Sequence, residues 1–81
     1  MRVIVRFFAS LREVMGCPQL EHELPSGSRV RDLMGSLERT YPELSPRLSS
    51  VRSAVNRSYV PQDSELHDGD EVALVPPVGG G

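Results

Sequence analysis

Val30-Arg31-Asp32-Leu33-Met34-Gly35-Ser36-Leu37-Glu38-Arg39-Thr40-Tyr41 is the stretch that decides the fold, because Val30, Leu33, Met34, Leu37 and Tyr41 fall at i, i+3, i+4, i+7 and i+11. That spacing lines one face of an α-helix with apolar side chains, and the stripe predicts a helix laid on a sheet. Asp32 in the first turn and Arg39 in the last suit the helix dipole, and Pro42 marks the stop. Gly35 costs about 1 kcal/mol relative to Ala in a helix interior, which makes it a candidate point of close packing.

Outward from the helix, the flanking segments read as strands. Residues 2–8 are β-branched and aromatic, with Val3, Val5 and Phe7 on one parity and Ile4, Arg6 and Phe8 on the other. A short helical segment from Ala9 to Met15 stops at Gly16. Residues 19–24 set Leu20, His22 and Leu24 against Gln19, Glu21 and Glu23, a half-buried strand closed by Pro25-Ser26-Gly27. Downstream, residues 42–50 hold two Pro and three Ser and read as a loop. Val51 to Asn56 and Ser58 to Val60 form two short strands around a turn, and Asp68-Gly69-Asp70 turns into a final strand, Glu71 to Val75. Pro76-Pro77 ends that strand, since proline cannot donate to a ladder. The expectation is an α+β domain of the β-grasp kind over residues 1–75, a mixed sheet of four to five strands packed on one main helix, with a flexible tail over 76–81.

At 81 residues the chain holds one small domain with little interior to spare for a deep cavity, so chemistry is expected on a partner or at an edge. All nine basic residues are arginine, against 11 acidic residues and a net charge of -2. That balance excludes the concentrated basic face of a nucleic-acid binder. Residues 1–57 carry the nine Arg and six acids, whereas residues 58–81 carry five acids and no Arg. An acidic last third is expected to dock near the tail on a basic partner surface. The absence of lysine has two open readings, codon composition or avoidance of an amine that would intercept an activated carboxyl end.

Catalytic and metal constellations are missing from the pattern. His22 and His67 lack ligand-spaced neighbours, and Cys17 between Gly16 and Pro18 has no basic neighbour to make a thiolate nucleophile. Asp63, Glu65, Asp68 and Asp70 do not follow a calcium-loop ladder, and no Gly-rich loop joins a strand to a helix. No metal site is expected. Nor is a membrane span or a signal peptide, so a cytoplasmic location is the expectation.

The chemistry is therefore sought in Pro76-Pro77-Val78-Gly79-Gly80-Gly81. Six residues reach at most about 20 Å, enough to carry the last glycine into another protein's cleft. Glycine lacks a side chain, so a narrow channel admits it. A terminal carboxylate of pKa about 3.5 is ionised and a poor electrophile until adenylation makes it a mixed anhydride that a thiol or persulfide attacks.

The runs Arg6-Phe7-Phe8-Ala9-Ser10-Leu11-Arg12-Glu13, Ala54-Val55-Asn56, and Leu66-His67-Asp68-Gly69-Asp70-Glu71-Val72-Ala73-Leu74-Val75-Pro76-Pro77-Val78 before the glycines resemble the small subunits of molybdopterin synthase, the MoaD-like sulfur carriers of the ubiquitin-like β-grasp group. The resemblance spans the chain. It implies that Gly81 is adenylated by an E1-like, MoeB-like enzyme using ATP, receives sulfur from a donor protein and becomes a thiocarboxylate. It further implies that Pro76, Pro77, Val78, Gly79 and Gly80 thread into a MoaE-like large subunit, where the sulfur passes to cyclic pyranopterin monophosphate. Phe8, Tyr59, Val75 and Arg12 correspond to the docking surface. On this reading the chain is noncatalytic alone and holds no permanent cofactor. Gly79 departs from the Thr, Ser or Ala common in relatives, which implies a floppier lever. Thiamin or tRNA-thiolation carriers and ubiquitin-like modifiers are the alternatives within the same fold.

Overall fold

In the computed structural model, which describes residues 1–77, the two parities of the first strand go to opposite faces of one sheet. Strand β1 (Arg2–Phe7) buries Val3, Val5 and Phe7, at most 1% exposed, and leaves Ile4 and Arg6 half-buried on the other side. Ala9, at φ 49°, reverses the chain into helix α1 (Ser10–Met15), which ends on Gly16 in the left-handed conformation. Strand β2 (Gln19–Glu23) returns antiparallel to β1 with Leu20 and His22 half-buried.

Helix α2 (Val30–Thr40) covers the buried parity with Val30, Leu33, Met34 and Leu37, as its stripe requires. The Asp32 carboxylate accepts the Arg29 N–H at 2.8 Å and so closes the helix start. Gly35 is not a point of close packing. A Cβ added there would meet only the Arg39 guanidinium tip at 3.4 Å.

Strand β3 (Arg52–Val55) and strand β4 (Ser58–Tyr59) form a hairpin whose two turn residues, Asn56 and Arg57, both have positive φ. Strand β5 (Glu71–Val75) runs parallel to β1 and antiparallel to β3. The sheet therefore has five strands in the order β2-β1-β5-β3-β4, the mixed β-grasp arrangement expected.

Residues 42–50 are not a loop. A 3-10 turn, Pro42–Leu44, runs into helix α3 (Ser45–Leu48), each with proline in its first turn, where the missing N–H has no partner to lose. Leu44 and Leu48, four apart, are both buried in the core.

The acidic segment also lies elsewhere than expected. Asp68 and Asp70 sit before β5, and the tail leaves its other end about 16 Å away along the strand. Asp68 accepts the Arg2 N–H, Asp70 accepts from the Asn56 side chain, Asp63 pairs with Arg31, and Glu71 pairs with Arg6. Asp68, Asp70 and Glu71 thus tie the chain together at the start of β5, the end opposite to the one Pro76 leaves, and Asp63 ties its loop to helix α2. Val78, Gly79, Gly80 and Gly81 lie outside the described residues.

Candidate functional site

Helix α2 takes one face of the sheet, and the other face bears the residues expected to dock. Arg6 pairs in register with Ala73 and Phe7 with Leu74, so Phe8, one residue on, comes level with Val75 at the end of β5. Across β5, Val75 pairs with Arg52, and Ala54 pairs with Tyr59. Phe8, Val75 and Tyr59 are thus brought to one end of the helix-free face, on strands spaced about 4.8 Å apart. Phe8 and Val75 are half-buried, whereas Tyr59 is 56% exposed, a large hydrophobic side chain left open to solvent. Pro76 and Pro77 leave directly from this patch, Pro76 half-buried and Pro77 exposed.

Two arginines belong to the same surface and were not singled out from the sequence. The Arg6 guanidinium carbon lies 5.6 Å from the centre of the Phe8 ring and Nη1 donates to Glu71 at 3.0 Å. The Arg52 guanidinium carbon lies 4.3 Å over the Tyr59 ring. Arg6 shares the parity of Phe8 and was legible on that ground. Arg52 was not, because its place beside Val75 depends on the order of the strands. Arg12 is exposed on α1 and makes no ion pair among the described residues.

Other titratable groups do not converge here. His22 donates or accepts at 2.7 Å with the Ser36 hydroxyl, tying β2 to α2, and burial holds its imidazole below the ordinary value. Cys17 is half-buried and free. No group of three or more His, Cys, Asp or Glu is placed to hold a metal among the described residues. No helix among them is long and apolar enough to cross a membrane.

Phe8, Val75 and Tyr59 thus form an apolar patch around the point where Pro76 leaves β5. The profile of the ThiS family matches residues 5–81. The chain belongs to the ThiS family. This ThiS-family chain is 41% identical over 83 residues to a molybdopterin synthase sulfur carrier subunit of Chlamydomonas reinhardtii, covering 100% of both. A structure described as a molybdopterin converting factor subunit 1 from Pyrococcus furiosus superposes with TM-score 0.88 at 37% identity, covering 96% of this chain and 99% of that one. The corresponding chain in a complex of subunits 1 and 2 of the molybdopterin-converting factor from Helicobacter pylori superposes with TM-score 0.75 at 28% identity, covering 100% of both. The ubiquitin-like β-grasp fold expected from the sequence stands with these neighbours.

Proposed function

We propose that this chain is the sulfur-carrying small subunit of a molybdopterin synthase, with its sulfur held as a thiocarboxylate on Gly81. The observation that carries the reading is the apolar surface of Phe8, Val75 and Tyr59 at the point where Pro76-Pro77 begins the glycine tail. A partner seated on that patch receives the tail at a fixed angle, and Pro-Pro limits the conformations lost on docking. The likeness to a subunit known in complex with a second subunit supports a two-subunit assembly.

The chemistry follows from the carboxylate. An activating enzyme joins it to AMP from ATP with release of pyrophosphate, which turns a poor electrophile into an acyl phosphate. A persulfide sulfur on a donor protein then attacks the acyl carbon and AMP leaves. A thiol on the donor or activating protein then attacks the donor's sulfur in the resulting acyl disulfide; the S–S bond breaks, the thiocarboxylate on Gly81 is freed and the two protein sulfurs are left as a disulfide. Docked in the large subunit, that sulfur passes to cyclic pyranopterin monophosphate. This chain contributes the handle, the docking face and the carrier atom, while the reacting groups belong to its partners.

Deletion of Gly81 tests the assignment. The shortened chain is expected to keep its fold, because the described core ends at β5, and to lose sulfur transfer in an assay with activating enzyme, sulfur donor and large subunit. Retained transfer would refute the role of that carboxylate.

A further inference from the structure

The patch carries a cation, Arg52, that no acid among the described residues neutralises. Arg2, Arg6 and Arg31 each pair with an acid of this chain, but Arg52 makes no ion pair or hydrogen bond from its side chain among the described residues. Its guanidinium carbon lies over the Tyr59 ring, 4.3 Å from the centroid, and a cation–π contact of this kind consumes none of the guanidinium's N–H donors. A hollow of about 390 Å³ opens beside the stack, between β3 and the segment from Tyr59 to Gln62. Four of the five acids of the last third, Asp63, Asp68, Asp70 and Glu71, are tied up by hydrogen bonds or ion pairs of their own, and the fifth, Glu65, has Oε1 3.5 Å from His67 Nε2.

From this placement we infer that Arg52 is a preoriented receptor for a carboxylate of the partner protein, an Asp or Glu at the rim of the apolar surface that covers Val75 and Tyr59. The inference rests on the proposed function and adds the chemistry of the partner's contact. A guanidinium edge matches a carboxylate with two parallel hydrogen bonds, and the aromatic stack has already removed much of the side chain's freedom. Arg52 stands in register with Val75, two residues before the tail's second proline, so an acid held there also fixes how the tail enters the partner. The sign is opposite to the one drawn from the acidic last third of the sequence: near the tail, this chain offers the positive charge.

The test compares full-length wild type, Arg52→Gln and Arg52→Lys for binding to the molybdopterin synthase large subunit of the same organism, at about 0.05 and about 0.5 M salt. Arg52→Gln is expected to weaken binding about tenfold at low salt and to lose part of the salt dependence. Arg52→Lys keeps the charge but not the fork, so it should restore the salt dependence and only part of the affinity. Binding of Arg52→Gln within about twofold of wild type would overturn the inference. So would a defect seen only in ATP-dependent activation with large-subunit binding unchanged, which would assign Arg52 to a phosphate. Failure of the wild type itself to bind would instead remove the proposed function, and the inference with it.

Discussion

Replacing Gly35 by Ala should make the domain more stable, because the sequence pays for a glycine in mid-helix that the structure does not use. Gly35 lies inside α2 but off the buried stripe of Val30, Leu33, Met34 and Leu37, and is itself half-buried. An added Cβ meets only Arg39 Nη1, at 3.4 Å, the far end of a flexible side chain, and no backbone atom. The gain is therefore close to the full propensity difference, about 0.5–1 kcal/mol, part of it from restricting the unfolded chain. For a domain of this size that is a rise in Tm of roughly 3–6 °C. Thermal and urea unfolding of Gly35→Ala measure it, with Gly69→Ala as the opposing control. Gly69 has φ 86° in the turn before β5, so a side chain there should cost about 1 kcal/mol. An unchanged or lowered Tm for Gly35→Ala, with a native far-UV spectrum, would refute the reasoning by showing that the glycine's backbone is approached by something other than Arg39.

Further expectations concern the core and its titratable histidine. The Ser53 hydroxyl is buried with no hydrogen-bond partner among the described residues, so Ser53→Ala should leave stability unchanged or raise it by up to about 1 kcal/mol in urea unfolding; a clear loss would reveal a partner. Leu48 is 3% exposed, so Leu48→Ala should cost about 2–4 kcal/mol by the same measurement, whereas a cost below about 1 kcal/mol would contradict the packing of α3. Because burial lowers the His22 pKa, the unfolded chain binds its proton first as pH falls through about 6.5, and stability declines from there toward the lower folded value. His22→Gln should flatten the dependence of Tm on pH between about 7.5 and 5, and an unaltered slope would assign it to other groups. Arg57, at φ 74° in the β3–β4 turn, should yield about 0.5–1 kcal/mol of stability when replaced by Gly; destabilisation would show that its side chain matters to the hairpin.

Much of the fold was legible because burial writes itself into local periodicity. Val3, Val5 and Phe7 alternate because a strand alternates, and Val30, Leu33 and Leu37 recur because a helix turns. The segment from 42 to 50 escaped because Leu44 and Leu48 are one pair, too few to make a period, and its prolines read as breakers although both stand in a first helical turn. Phe8, Val75 and Tyr59 are expected at a docking surface from the resemblance, and strand parity independently puts Phe8 and Val75 on a second apolar face. Arg52 joins them only through the order in which distant strands pair, a non-local fact that no window of sequence contains. The acidic last third misled for a related reason: Asp68 and Asp70 are close to the tail in sequence, but β5 carries the chain away from them before the tail begins.

The central claim is that Gly81 carries sulfur, and intact-mass spectrometry tests it most directly. The full chain would be incubated with ATP, an E1-like adenylating enzyme and a persulfide donor, then measured against a control lacking ATP. The account predicts a species heavier by the difference between one sulfur and one oxygen, with fragmentation placing the change on Gly81. Conjugates of high mass on target lysines, or an unchanged chain under conditions that activate a known sulfur carrier, would contradict it.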